Sequence, residues 1–281
     1  MVDWSANSTP KLGRDSIWAA VRERAGETTL TNLPTRAAAG DFLVELLDSD
    51  PRATTLVGVD FSLGFPAGTA AALGLTGTAW SAMCALLAEC ISDDDLNRNN
   101  RFAVAADLND RITGGAAPFW GCPPSAASQR LTGTKPSDAG SLGWWRAVER
   151  ELRSQGHRPF SSWQLLGAGA VGSQSLLGIA RLHRLRERFV DRVEVWPFTT
   201  GLQAPQVGAG AIVVAEIWPS MLKVDDGAGL VRDAAQVRTV AKWLAETDEC
   251  NRLASLFAPR LSPDVAAAVI AEEGWVLGVV P

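Results

Sequence analysis

Two runs of the sequence that resemble buried strands each carry a single carboxylate near their end. Residues 54–61 are apolar and β-branched up to Asp60, and residues 211–219 are apolar up to Glu216. Such composition is typical of central strands that are covered on both faces. An unpaired buried carboxylate is costly, so each acid needs a partner or a role. These runs predict an α/β protein with carboxylates at the ends of its central strands.

Further strand patterns surround these two runs. Residues 1–6 indicate a strand end that contains Asp3, and residues 16–21 and 27–33 indicate two more strands joined by short turns. Three successive strands with short connections predict an antiparallel meander. Residues 193–198 indicate one further strand. We therefore predict a mixed sheet in which a three-strand antiparallel meander is joined to parallel strands.

Helical patterns separate these strands and predict helices that flank the sheet. The predicted helices lie at about 35–49, 68–91, 172–189, 231–247 and 263–273. Residues 97–143 are rich in Gly, Pro, Ser and Thr, and we predict a long irregular insertion at about 97–165. We expect one elaborated domain over residues 1–281.

Composition excludes several classes of protein. No stretch of about 18 apolar residues occurs, and the N-terminal residues have neither a basic flank nor an apolar signal core, so we expect a cytoplasmic protein without membrane contact. The net charge of −5 excludes a generic polyanion binder, so any nucleic-acid contact must be local. Four cysteines at irregular spacings match no zinc or redox motif. With only two histidines, any metal ion would be held by oxygen ligands.

Three strand-borne acids, Asp3, Asp60 and Glu216, form the candidate catalytic and metal site. If their strands are neighbours, the carboxylates converge and repel one another unless a cation neutralises them, which suits Mg²⁺ or Mn²⁺. The simpler interpretation is that each acid caps a strand end or pairs with an arginine. A fourth carboxylate would come from a helix, and we take Asp233 first. Its alternatives are Asp264, Glu272 and Glu273.

A glycine motif at residues 167–172 fits the GxGxxG pattern of dinucleotide-binding proteins. Residues 161–164 make a poor buried strand before it, however, and no acid closes the following strand at 193–198. We therefore do not expect a nicotinamide or flavin cofactor. The favoured explanation is that the glycines let the next helix pack closely on the sheet, and a contact with a substrate phosphate stays open.

Four short motifs together resemble the DUF429 family of predicted ribonuclease H-like nucleases. They are Val-Asp-Trp-Ser-Ala at residues 2–6, Gly-Val-Asp-Phe-Ser-Leu-Gly-Phe-Pro at 58–66, Gly-Ser-Gln at 172–174 and Glu-Ile-Trp-Pro at 216–219. The resemblance implies a ribonuclease H-like fold. It implies Asp3, Asp60 and Glu216 as metal ligands, with Gln174 and the region of Lys223 as substrate contacts.

The leading functional hypothesis is divalent-metal-dependent hydrolysis of a phosphodiester, with Asp3, Asp60, Glu216 and Asp233 as catalytic residues. The substrate would be a nucleic acid or a small phosphodiester, and we also predict Lys11 and Arg130 as substrate contacts. Two alternatives stay open: a nucleotide-binding phosphotransferase or ATPase of the related actin-like fold, and a ligand-binding member of the family without activity. The sequence does not indicate an oligomeric state.

Overall fold

The computed structural model describes residues 1–24, 26–167, 169–224 and 229–281. Six strands form one sheet in the order β3-β2-β1-β4-β6-β5. The strands are β1 (Val2–Asp3), β2 (Ile17–Arg22), β3 (Thr28–Leu33), β4 (Thr55–Val59), β5 (Val193–Val195) and β6 (Ile212–Glu216). The first three pair antiparallel, whereas β1, β4, β6 and β5 run parallel to one another. The predicted α/β class with a mixed sheet is confirmed.

Strands β4 and β6 lie at the centre because nearly every side chain on them is apolar. They pair over five positions, from Thr55 with Ile212 to Val59 with Glu216. One face of the pair, including Val59, packs into a core cluster with the helices that follow β3 and the glycine motif. The opposite face, including Ile217, packs into a second cluster with the C-terminal part of the chain. Burial on both faces explains why these runs lack the alternation of a half-exposed strand.

Nine α-helices are described, and they cover both faces of the sheet. They are α1 (Arg36–Ser49), α2 (Thr69–Ala72), α3 (Ala79–Cys90), α4 (Arg101–Thr113), α5 (Ala147–Ser154), α6 (Gly172–Arg188), α7 (Arg232–Glu249), α8 (Leu253–Leu256) and α9 (Pro263–Ala268). The hydroxyl of Thr35 accepts a hydrogen bond from Ala38 at 3.1 Å and so fixes the start of α1. None of the described helices is long and apolar enough to span a membrane.

The structure corrects two helix predictions. Residues 68–91 form two helices because Gly74 and Gly77 adopt positive φ angles of 67° and 88°, which interrupt a helix. The predicted insertion at 97–165 is not irregular throughout, since it contains α4 and α5. Buried Val104, Ala105 and Leu108 give α4 its apolar face, and Gly114 ends it in a left-handed conformation.

Candidate acidic active site

Asp3 and Asp60 lie side by side at the carboxyl ends of two adjacent parallel strands. Val2 of β1 pairs with Val59 of β4, so the two aspartates follow at matching positions one residue later. Their carboxyl groups are near enough for a hydrogen bond between them to raise the pKa of Asp3 and to oppose the rise in that of Asp60. The backbone N–H of Trp4 donates to Oδ1 of Asp60 at 2.8 Å and orients that carboxyl group. A hydrogen bond between two carboxyl groups requires that one of them carries a proton.

The pKa values of both aspartates are raised. Burial raises the pKa of Asp3 well above its ordinary value, and the charge of Asp60 raises it further. Burial also raises the pKa of Asp60 to about 6, although hydrogen bonds from Asp3 and Trp4 oppose this shift. Two carboxylates in such contact cannot both ionise without strong repulsion. Near neutral pH, the pair therefore favours retention of a proton or binding of a cation.

Asp233 is the third acid of this region and lies in the first turn of α7. The backbone N–H of Asp15 donates to its Oδ2 at 2.7 Å. Burial raises the pKa of Asp233, and its negative charge raises the pKa of both Asp3 and Asp60. Within the described residues, however, no three His, Cys, Asp or Glu side chains form a ready metal-binding group. The arrangement is thus a carboxylate pair with a third acid nearby.

Glu216 does not join this pair. Because Glu216 is paired with Val59, the alternation of the strand turns its side chain away from that of Asp60, the residue after Val59, although both residues line the same cleft. There its two carboxylate oxygens accept from Nη1 and Nη2 of Arg146, at 2.7 and 2.6 Å, and the N–H of Leu63 also donates to it. Glu216 therefore fits the simpler interpretation, in which a strand-borne acid pairs with an arginine. The positive charge of Arg146 already balances the charge of its carboxylate.

Arg146 is held by two glutamates rather than one. Its Nε donates to Glu149 at 3.0 Å, and all three side chains are buried. Burial alone would lower the pKa of Arg146, but the charges of Glu216 and Glu149 raise it above its ordinary value. This buried network joins β6 to the start of α5.

The other acids considered as a fourth ligand lie elsewhere. Glu272 accepts hydrogen bonds at 2.7 and 2.5 Å from two backbone N–H groups at the start of α2. Glu273 accepts one hydrogen bond, at 2.9 Å, from a backbone N–H two residues before α2. It accepts another, at 2.5 Å, from the backbone N–H of the first residue of α5. Asp264 is exposed in the first turn of α9. Of the four candidates, Asp233 alone lines the cleft beside Asp3 and Asp60.

The carboxylate pair faces a cleft of about 960 Å³. Asp3, Asp60, Asp233 and Asp15 contribute negative charge to its wall, and Glu149 and Glu216 also line it but are paired with Arg146. Positive charge comes from a set of arginines that the sequence analysis did not single out, since isolated arginines carry no recognisable signal. These are Arg14, Arg101, Arg146, Arg158 and Arg232. The cleft therefore combines acidic groups that suit a cation with arginines that suit an anionic ligand.

The glycine motif lines the same cleft through Gly167, Gly169 and the start of α6, while Ala168 lies outside the described residues. A Cβ atom on Gly172 would lie 2.6 Å from the carbonyl oxygen of Ser162, so only glycine permits this close packing. The glycine therefore allows close packing of the helix start, but against the backbone of residues 162–164 and not against the sheet. Before the motif, Gln164 forms only an isolated bridge with Trp120, so the described residues lack the strand of a dinucleotide-binding unit.

One of the four predicted substrate contacts lines the cleft. Gln174 does so, and its side-chain amide donates to the carbonyl oxygen of Trp4. Lys11 does not line the cleft itself, but it pairs at 3.4 Å with Asp15, which does. Arg130 pairs with Asp110 at 3.1 Å on the surface, and Lys223 is exposed away from the cleft lining.

Comparison with known proteins adds no assignment to this geometry. No protein-family model matches the chain, and no curated protein or solved structure is significantly similar to it. The chemistry of the cleft must therefore be inferred from its own residues. Those residues are a proton-sharing pair of aspartates, a third acid on α7 and a wall of arginines.

Proposed function

We propose that the protein hydrolyses phosphodiester bonds with the help of a divalent metal ion bound at Asp3 and Asp60. The observation that carries this proposal is the contact between two half-buried carboxyl groups inside a cleft that arginines also line. The strand order supports a ribonuclease H-like domain, the fold of the family that the sequence resembles, because an antiparallel meander continues into parallel strands.

The donor set fits a hard divalent cation. Mg²⁺ is commonly bound by one or two carboxylates together with water and substrate phosphates, and Mn²⁺ accepts the same ligands. Asp3 and Asp60 supply two such carboxylates once their shared proton has left. A bound ion would lower the pKa of water and neutralise charge on the phosphate. Asp233, at the same cleft, would be the nearest further acid.

The protein's own groups would orient the metal ligands and the substrate. The N–H of Trp4 would hold Oδ1 of Asp60 in place for the ion. The N–H of Asp15 fixes Asp233 in the same way. The arginines on the cleft wall other than Arg146, whose charge Glu216 and Glu149 balance, would bind the phosphate oxygens through charge-assisted hydrogen bonds.

The test compares Asp60→Asn with Asp264→Asn, a control that removes an exposed aspartate outside the cleft. Single-stranded RNA, duplex DNA, an RNA–DNA hybrid and a bis(nitrophenyl) phosphate would be incubated with Mg²⁺ or Mn²⁺. We expect the wild type and Asp264→Asn to cleave at least one of them. Asp60→Asn should lose about 100-fold or more in cleavage rate, since it removes a metal ligand. Cleavage by Asp60→Asn at the wild-type rate would show that Asp60 is wrongly assigned.

The glycine motif favours a second candidate, a nucleotide-binding phosphotransferase or ATPase of the actin-like fold. Gly167, Gly169 and the start of α6 line the cleft that contains the acids, and helix N-termini bind phosphate well. That enzyme would convert ATP to ADP without cleaving any phosphodiester of the panel. Binding of ATP without turnover would instead indicate a ligand-binding protein.

A further inference from the structure

Arg101 is a buried cation without a carboxylate partner. Its residue is 7% exposed at the start of α4. Its Nε donates to the hydroxyl of Ser173 at 2.9 Å, and its Nη1 donates to Ser8 and Asn99 at 3.0 and 2.7 Å. All three acceptors are neutral, and no described carboxylate lies within ion-pair distance of Arg101. A buried charge without an opposite charge is unfavourable, so this position calls for an anion.

The surroundings of Arg101 increase this excess of positive charge. Arg36 and Arg181 both bind the single buried carboxylate of Asp93, at 2.6 and 3.0 Å. Burial lowers the pKa of Arg101 to about 10 and the charge of Arg36 lowers it further, while the charge of Asp93 opposes this shift. Arg101 is therefore the arginine of this group that reaches the cleft wall without a carboxylate in direct contact.

The N-terminus of α6 meets Arg101 at the same place. Ser173, whose hydroxyl accepts from Arg101, is the second residue of this 17-residue helix. The helix has no side-chain cap and no acid in its first turn, so the positive end of its dipole is not neutralised by its own residues. Both Arg101 and the first turn of α6 line the cleft.

We infer that Arg101 and the first turn of α6 form a phosphate subsite of the cleft. The subsite is linked to the acid pair, because Gln174 in that turn donates to the carbonyl oxygen of Trp4, the residue after Asp3. A phosphate held there would belong to the same substrate as the phosphodiester bond that water cleaves at the acid pair. This inference rests on the proposed function. It restricts the substrate to a nucleotide or oligonucleotide with at least two phosphate groups.

Ser8 allows a test that leaves Arg101 in place. Its hydroxyl accepts a hydrogen bond from Arg101, yet Ser8 is exposed. Both Ser8→Asp and Ser8→Asn, which introduces a neutral side chain of the same shape, should therefore fold. The aspartate would give Arg101 an internal anion and so compete with phosphate. The probe is inorganic phosphate, titrated calorimetrically into metal-free protein. We expect Ser8→Asp to bind it about tenfold more weakly than the wild type or Ser8→Asn.

A second pair of variants removes charge within α4. Arg101→Gln should abolish phosphate binding, whereas Arg111→Gln, which removes an exposed arginine of the same helix outside the cleft, should retain it. The inference is overturned if the wild type does not bind phosphate. It is also overturned if Ser8→Asp and Arg101→Gln both bind phosphate as tightly as the wild type.

Dinucleotides with and without a 5′-phosphate separate this inference from the proposed function. We expect the phosphorylated form to have a kcat/KM about tenfold higher in the wild type and Ser8→Asn, with the preference lost in Ser8→Asp. Hydrolysis of both forms at equal rates by all three proteins would reject the subsite and keep the hydrolase. Binding of phosphate as expected, without hydrolysis of either form, would keep the subsite and reject the hydrolase.

Discussion

Arg146 and Glu216 form a buried ion pair through two parallel hydrogen bonds of 2.7 and 2.6 Å. Nη1 of Arg146 also donates to the carbonyl oxygen of Glu273 at 3.0 Å. The guanidinium group thus connects the end of β6 with α5 and with the π-helical turn Val269–Glu273 that follows α9. Because these contacts hold the three segments together, the pair fixes one wall of the cleft.

Glu216→Gln should lower the free energy of unfolding by about 3 kcal/mol, because it leaves the buried charge of Arg146 with Glu149 as its remaining ionic partner. Urea denaturation measures this change. Glu246→Gln, which breaks the exposed pair with Lys242, is the control and should change stability by less than about 0.5 kcal/mol. If Glu216→Gln were as stable as the wild type but inactive, Glu216 would act as a metal ligand instead.

Asp60→Asn should stabilise the fold at neutral and higher pH. The folded-state pKa of Asp60 is raised from 3.8 to about 6, so the folded protein binds this proton more tightly than the unfolded chain. The contribution of Asp60 to wild-type stability is therefore fully present below pH 3.8 and is lost as the pH rises to about 6. Asparagine avoids this loss, and we expect a gain of about 1–2 kcal/mol above that range.

Urea denaturation across the pH range measures the difference between Asp60→Asn and the wild type. The gain should shrink steadily as the pH falls through the range from about 6 to 3.8. A gain of the same size at every pH would mean that the variant acts through packing and not through the titration of Asp60.

Binding of Mn²⁺ should become stronger as the pH rises, whereas the stability contribution of Asp60 becomes weaker. The ion must displace the proton shared by Asp3 and Asp60, so its effect on Tm should be large at about pH 8 and small at about pH 5. Asp60→Asn should remove the effect at both pH values, and Asp264→Asn should preserve it. Thermal melts with and without Mn²⁺ provide the measurement, and an equal Tm shift in Asp60→Asn would place the ion elsewhere.

Gly172→Ala should destabilise the protein by about 1–3 kcal/mol. Its Cβ would lie 2.6 and 2.7 Å from two backbone carbonyl oxygens, which cannot move as freely as a side chain. The control is Gly40→Ala within α1, where nothing lies within 4 Å and the better helix propensity should add about 0.5–1 kcal/mol. Urea denaturation of both variants checks the prediction, and equal effects would contradict it.

Much of the fold could be predicted because local patterns determine it. The β-branched runs at β4 and β6 and the short turns around β2 identify the sheet, and the helical spacing of apolar residues identifies α6 and α7. Helix α4 was missed although Val104 and Leu108 have helical spacing, because the segment around it is rich in glycine and proline. Local composition outweighed a short periodic signal there.

The candidate site could be predicted only in part because it depends on register and long-range contacts. Asp3 and Asp60 each follow a strand, which is visible in the sequence. The face occupied by Glu216 depends on how β4 and β6 are aligned, and a shift of one residue would reverse it. Arg146, 70 positions before Glu216, carries no sequence signal that would identify it as its partner.

Because β1 pairs between β2 and β4, the site joins parts of the chain that are made at very different times during synthesis. Trp4 contacts Asp60 across 56 positions, and Asp15 contacts Asp233 across 218. Contacts of such separation close late, since the intervening chain must first be made and ordered. A nascent chain that ends before α7 can contain both paired aspartates but lacks Asp233. Assembly of the complete acidic group is therefore coupled to translation of nearly the entire sequence.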